Sequence, residues 1–371
     1  MLLLSLLLTA QIAAASQVET AVRSGIDAGS FPGAVVVIGT ARAVLYAKGI
    51  GNFTWEADSP APDPDSTLFD LASLTKVVAA TPSIMRLVEQ GLLDLDSPVS
   101  QYLPGFMGEG KDAVTVRHLL QHRSGLRAFL PLNTETATAA EAKARVLDES
   151  LRWAPGGRVE YSDLNAMLIG WVVEAVSGAS LDEFAAAAAF DQLAMMSTQY
   201  HPPRSARSQM MPVGLWRGHV ITGELHDQNA VRLGGVSGHA GLYSTGADLA
   251  TYARMWLGNG TVDSTAVFRP GMIGHFIRRG PGNRALGWEM RDTTQSDNTG
   301  TEMSAETFGH TGYTGTSIWI DPVQDLFVIL LTNRVFAPRG RSITTLKRVR
   351  GEVADAAVAL RAELCGAEPS C

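Results

Sequence analysis

Two apolar runs near the start, "GAVVVIG" (33–39) and "AVLYAKGIG" (43–51), flank the short connection "TAR". Both are short and rich in β-formers, so they predict a hairpin. Ahead of them Ser16 and Glu19 have the spacing of a capping box, which predicts a helix opening there. From about residue 76 to 260 the apolar period lengthens to that of helices. "TVRHLLQ", the alanine-rich stretch after Glu135, "NAMLIGWVVEAVSG" and "SLDEFAAAAAFDQL" carry it, the last with its own box at Ser180 and Glu183. Glycine and proline clusters separate these pieces. Strand patterning returns in "TSIWI" and "LFVILLTN", joined by the turn "DPVQD", and residues 341–364 predict a closing helix.

Both ends of the chain therefore read as helix plus hairpin, around a helical middle. The simplest packing is an α/β fold of the α+β kind. One antiparallel sheet takes strands from both ends, N- and C-terminal helices flank it, and a mostly helical lobe is inserted. The expected organisation is a leader over residues 1–15 and a single domain over 16–371. Its sheet lobe takes about 16–72 and 270–364, and its helical lobe about 73–269. No repeat or low-complexity linker interrupts it.

A chain of 371 residues with 46% apolar and 18% charged residues can bury a large core and is not of disordered composition. The net charge of -7, with no basic cluster, argues against a nucleic-acid partner. "MLLLSLLLTAQIAAASQ" is a short apolar run ending in Ala13-Ala14-Ala15, the pattern of an export signal cleaved near Ala15; it lacks the usual positive start, and a segment retained as an anchor is the other reading. It is too short to span a membrane, and no later stretch reaches about 18 unbroken apolar residues. A periplasmic or secreted protein without a stable membrane span is expected. The two cysteines, Cys365 and Cys371, lie in the tail "LCGAEPSC". Export would allow them to pair; inert thiols in a loose terminus are the other reading.

The chemistry begins at "FDLASLTKVVAATPSIMRLVEQG" (69–91). Serine needs a base to become a nucleophile, and Ser73 and Lys76, three apart on a helix, share a face. A helix N-terminus also offers backbone N–H groups to an oxyanion, and the positive end of the helix together with burial would favour a neutral lysine. With five lysines and 26 serines, chance alone gives about 0.35 S-x-x-K matches, so the motif is weak by itself. Yet arginines outnumber lysines 25 to five, and only lysine can give up its proton. Thr81 before Pro82 looks like an N-cap at which this helix kinks or restarts. Further on, "YSDLN" (161–165) precedes an apolar helix, and "GHTGYTGTSIWIDP" (309–322) is a small-residue entry to a strand, where a ligand can approach the backbone.

In this order the three segments resemble the serine penicillin-recognising family: class C β-lactamases, low-molecular-mass penicillin-binding proteins and related serine esterases. Ser73-Leu-Thr-Lys76 matches the S-x-x-K box. Tyr161-Ser-Asp163 stands where the family has Tyr-x-Asn, and His310-Thr311-Gly312 where it has Lys-Thr-Gly. "VTVRHLLQHRSGL" (114–126) and "HDQNAVRLGGVSGHAGLYSTGADLA" (226–250) resemble its carboxypeptidase-like branch.

The resemblance implies that Ser73 is acylated, with Lys76 and Tyr161 shuttling protons. It implies an oxyanion hole from the backbone N–H groups of Ser73 and Tyr313, and Asp163 orienting the substrate amide or the lysine. The strand from His310 would pair with a substrate backbone. Two departures qualify it. Asp163 adds an anion where an amide is usual, and His310 exchanges a permanent cation for an imidazole mostly neutral near pH 7. The second favours esters or peptides over β-lactams; Arg334 in "LTNR" is either a substitute carboxylate anchor or a strand-end residue in solvent.

His226, Asp227 and His239 could ligate zinc, but they fit no HExxH pattern, and a polar loop lining the cleft is the better reading. His118 and His122, four apart, are expected on one helix face as structural histidines. No G-x-S-x-G elbow occurs. The expectation is an exported serine hydrolase forming an acyl-enzyme on an ester or amide, D-alanyl peptides included, with neither metal nor cofactor. Alternatives are an idle penicillin-binding or ligand-sensing protein on the same scaffold and a weak class C-type β-lactamase.

Overall fold

The computed structural model describes residues 2–216, 218–295, 298–337, 343–366 and 371. In chain order, the elements that position the site are α1 (Leu2–Asp27), β1 (Gly33–Gly39), β2 (Val44–Gly51), α2 (Thr81–Glu89), α3 (Asp163–Ser177), β3 (Glu289–Met290), β4 (Phe308–Thr311), β5 (Ser317–Asp321), β6 (Leu326–Thr332) and α4 (Ile343–Cys365).

The strands form one antiparallel sheet in the order β3-β4-β5-β6-β1-β2. The two ends of the chain meet where Val36 pairs with Leu330 and Val37 with Ile329. Period-two alternation then sorts each strand between two cores. Val36, Ile38, Val328 and Leu330 pack beneath α1 and α4. Val35, Val37, Ile329 and Leu331 face the large cluster built with the helical segments. That is why β1 and β6 are apolar almost without a break, only the closing Thr332 being polar, as strands buried on both faces must be.

The expected hairpins, the flanking helices and the sheet shared by both ends are all present. The box at Ser180 and Glu183 also forms. Residues 341 and 342 of the expected closing helix lie outside the described residues. Among those described, no single helix is long and apolar enough to cross a membrane.

Three expectations need correction. Ser16 does not open a helix, because α1 runs straight through it and Thr20 donates to its carbonyl. Ala13 to Ala15, strong helix formers, carry the helix across the cap. Thr81 does not cap with its side chain either. Residues Lys76–Ala80 form a single π-type turn, and the Thr81 N–H and hydroxyl both donate to the Lys76 carbonyl. The helix widens over that turn and restarts as α2 at Thr81, as expected, directly before a proline with no N–H to give. Finally, His118 and His122 share no face, because their helix stops at Leu120 and His122 takes a left-handed conformation (φ 54°).

The tail cysteines are joined as a Cys365–Cys371 disulfide.

Candidate active site

Ser73 sits just beyond a tightly held corner. The buried Asp70 carboxylate accepts the Ala72 N–H at 2.9 Å and the His226 N–H at 2.9 Å. Ala72 is left-handed (φ 47°), a conformation an alanine keeps only when its surroundings impose it. Burial pushes the Asp70 carboxyl up to about 6, with nearby Asp227 adding to the rise against its two backbone donors. The folded chain thus binds more protons than the unfolded one between the ordinary value of 3.8 and about 6. Stability from this group therefore grows as pH falls through that window, by up to about 3 kcal/mol at roughly 1.36 kcal/mol per unit. Denaturant titrations at pH 4.5 and 7.5, which span most of that window, should show the difference between wild type and Asp70→Asn changing by about 2 kcal/mol. A difference independent of pH would refute the assignment.

The same corner is stitched to the sheet. The Thr314 hydroxyl donates to the Asp70 carbonyl at 2.7 Å, and that of Thr316 to the Leu71 carbonyl at 3.0 Å. Gly312, whose N–H bonds to the Thr316 carbonyl at 2.7 Å, lies against this seam. A Cβ there would come within 2.1 Å of Thr316 Oγ1 and 2.5 Å of the Leu71 carbonyl oxygen. Only glycine lets the end of β4 approach the Ser73 corner so closely.

Lys76 is 4% exposed, and its Nζ has three acceptors: Asp163 Oδ1 at 2.8 Å, Ser73 Oγ at 2.9 Å and the His239 carbonyl at 3.2 Å. Three acceptors suit the three N–H bonds of an ammonium. Burial pulls the lysine down, but the Asp163 carboxylate and then Tyr161 outweigh it, so the group is held above its ordinary value. The expected neutral lysine is therefore not the resting form. Asp163, the departure from Tyr-x-Asn, holds the proton in place.

Tyr161 completes the group. Its ring centre lies 5.0 Å from Lys76 Nζ, 5.4 Å from the Arg284 guanidinium carbon, 4.6 Å from the His122 ring and 5.8 Å from the His310 ring. His122 positions the "YSD" turn. Its Nδ1 accepts the Ser162 N–H at 3.1 Å, and its carbonyl accepts the Glu160 N–H at 2.8 Å. Ser162 Oγ reaches the Arg127 carbonyl at 2.6 Å, and the Asp163 N–H reaches that of Ala128 at 2.9 Å. Burial, then Arg284 and Lys76, hold His122 well below the ordinary histidine range, so it works as a neutral ring. His118 accepts the Thr115 N–H at the start of its own helix. Both histidines are structural, as expected.

Two cavities of about 460 and 440 Å³ meet at Ser73, Tyr161 and Tyr313. Among the described residues, the first is lined by His310, Thr311, Gly312 and four cations, Arg284, Arg334, Lys347 and Arg350, against the single carboxylate of Glu289. Arg334 donates from Nη2 to the Tyr313 carbonyl at 2.8 Å and lies over its ring, so it is no loose strand-end residue. The cationic character that His310 withdraws is supplied from other elements. The second cavity is lined by Phe129, Asn133, Asp163, Asp227 and Asn229.

His226 and Asp227 belong to a polar loop lining this cleft, as expected. Asp227 Oδ1 accepts the Ala230 N–H at 2.8 Å and lies 3.2 Å from His239 Nε2, while Ser237 Oγ is 2.7 Å from His239 Nδ1. Burial alone would raise Asp227, but the His239 contact and its hydrogen bonds lower it overall. The chain from Asp227 to Ser237 fixes the residue whose carbonyl caps Lys76.

The structure thus brings Ser73, Lys76, Tyr161, Asp163, His310, Thr311, Gly312 and Tyr313 to one cleft. Sequence reasoning missed the His239 carbonyl, because main-chain acceptors leave no side-chain signal. It also missed Arg284 and Arg350. Arg350 did leave a trace: it falls among Leu346, Val349 and Val353 on the buried stripe of α4, where an arginine is out of place.

Comparison with known proteins agrees with this arrangement. A family model described as Beta-lactamase matches residues 18–351. A relative from Salmonella schwarzengrund, described as "Putative D-alanyl-D-alanine carboxypeptidase", is 30% identical over 354 residues, covering 85% of this chain and 82% of its own. One of the same description from Salmonella typhi is 29% identical with the same coverage. Among solved structures, EstCE1, "a hydrolase with promiscuous acyltransferase activity", superposes with a TM-score of 0.76 at 23% identity, covering 93% of this chain and 100% of its own. A class C beta lactamase gives 0.73 at 19%, covering 93% and 98%. At such identities the structural likeness speaks for the fold.

Proposed function

The chain belongs to the beta-lactamase family, and from that premise we propose that it is a serine hydrolase that cleaves an ester or amide through an acyl-enzyme on Ser73. Peptides ending in D-alanyl residues are the leading substrate class. The observation that carries this is Lys76 Nζ at 2.9 Å from Ser73 Oγ, buried beside Tyr161.

Ser73 Oγ attacks the carbonyl carbon, and the carbonyl electrons move onto oxygen. The backbone N–H groups of Ser73 and Tyr313 receive that oxyanion, held in register by the seam from Asp70 and Leu71 to Thr314 and Thr316. Lys76 stays an ammonium and donates to Ser73 Oγ, which stabilises the alkoxide forming there. Tyr161 accepts the serine proton and delivers its own to the leaving group as the bond to that group breaks, so its protonation is restored. Charge passing through the phenol is met by Lys76 and Arg284. Water then reverses the sequence to release the acid.

The substrate backbone lies along β4. Pairing with β3 ends at Gly309, so His310 to Gly312 have an edge open to an added strand. Arg284, Arg334 and Arg350 supply the anchor for a substrate carboxylate. A carboxypeptidase description among the relatives and a hydrolase among the structural neighbours support this class. We also propose export, on the apolar first segment and the paired tail cysteines. Cleavage near Ala15 would leave Val18, Ala21 and Val22 packed on the sheet.

The resting ammonium favours a second reading, a site that acylates but does not turn over. One experiment separates the two. The protein is incubated with a fluorescent penicillin, a short-chain nitrophenyl ester and an acylated D-alanyl-D-alanine peptide, then digested and examined by mass spectrometry. A mass adduct on the Ser73 peptide with many turnovers per chain is the expected result. An adduct with a single turnover selects the second reading, and turnover without an adduct on Ser73 rejects both.

A further inference from the structure

His310 lines the cationic cavity beside Ser73 and is 2% exposed. Its Nδ1 lies 2.8 Å from the Thr311 carbonyl oxygen. A carbonyl can only accept, so Nδ1 carries the ring hydrogen and Nε2 carries a bare lone pair. Burial, then Lys76 and Arg284, with a smaller push from Arg350, take the ring down to about 3, so it stays neutral throughout the working pH range. Among the described residues Nε2 has no hydrogen-bond partner. Arg284 and Arg350 line the same cavity, and Arg284 Nη1 and Arg350 Nε are buried donors also without a partner among the described residues. Buried polar atoms are rarely left unmatched in folded proteins, and an acceptor and two donors on residues lining one cavity point to a ligand that supplies both complements.

We propose that His310 is a specificity-determining residue that accepts a hydrogen bond from the ligand, so that the cavity selects carboxylates bearing a hydrogen-bond donor on the adjacent carbon. This rests on the placing of the substrate's carboxylate end among the arginines. The ligand class is the 2-hydroxy acid or the N-acylated amino acid, each with an O–H or N–H next to the carboxylate. The carboxylate oxygens accept from the guanidinium groups, while the Nε2 lone pair repels them and attracts the neighbouring donor. A lysine at this position, a donor only, could not read that group. A site whose buried acceptor must be matched discriminates strongly against the analogue that lacks the donor.

The test is a binding measurement in Ser73→Ala, where no turnover can intervene. Lactate (each enantiomer) and propionate differ by one hydroxyl, and their dissociation constants can be read by NMR titration. The better lactate enantiomer should bind at least about tenfold more tightly than propionate. In Ser73→Ala/His310→Leu the two acids should bind alike, whereas His310→Gln, which keeps an acceptor, should retain the preference. Equal binding in Ser73→Ala itself overturns the proposal and does not depend on the folding of any His310 variant. A preference that survives His310→Leu overturns it too, as does the absence of binding by either acid. Failure of the acyl-enzyme reading is seen separately, in the Ser73 adduct.

Discussion

Replacing Lys76 with alanine should lower kcat/KM by about 10³- to 10⁴-fold, approaching the loss expected for Ser73→Ala, because groups that act as one unit are not additive. The variant loses the donor 2.9 Å from Ser73 Oγ and the cation beside the Tyr161 ring, and leaves Asp163 without its partner. A thermal melt run alongside separates lost chemistry from lost folding. Asp163→Asn is the sharper companion. Without the carboxylate, burial is the largest remaining influence on Lys76 and pulls it down. The ammonium would then be lost at a lower pH, and the alkaline fall of kcat/KM should move to lower pH than in the wild type. An increase in activity with pH in Asp163→Asn would show instead that the free amine is the working form. Wild-type rates within tenfold for Lys76→Ala would remove Lys76 from the chemistry.

Gly312→Val should cost about 10²- to 10³-fold in kcat, the range for losing one oxyanion donor, and about 1–3 kcal/mol in stability. The first atom of the new side chain would meet Thr316 Oγ1 and the Leu71 carbonyl at 2.1 and 2.5 Å, both parts of the seam between the sheet and the Ser73 corner. Relief requires β4 to retreat, and Tyr313 moves with it. The Tyr313 N–H then points away from the oxygen it should stabilise, while Ser73, Lys76 and Tyr161 stay together. Acylation should slow more than labelling of Ser73 by a small phosphonate, which relies less on that strand. Equal losses in both reactions would place the damage in the nucleophile, not in Tyr313.

The parts legible beforehand were those whose cause is local. The runs 33–39 and 326–331 are apolar without interruption because both faces of those strands are covered, and sequence alone carries that pattern. The spacing of Ser73 and Lys76 needs only one helical turn. The charge on Lys76 was not legible, since it depends on a carboxylate 87 positions away and on a main-chain oxygen of His239. Nor was the cation supply of the first cavity, which comes from a loop at Arg284, a strand end at Arg334 and a helix at Arg350. The false start at Ser16 shows the converse: a good local cap yields when the residues before it are better helix formers than the cap is a stop.

Pairing Val36 with Leu330 has a kinetic consequence. During synthesis the first hairpin must wait for almost the whole polypeptide before its inner edge finds a neighbour, and such distant pairings make for slow folding. Until then that edge is a template for unwanted strands, which favours keeping the nascent protein extended until it is complete. Activity cannot be inherited by any early fragment, because the serine emerges long before the backbone that must face it.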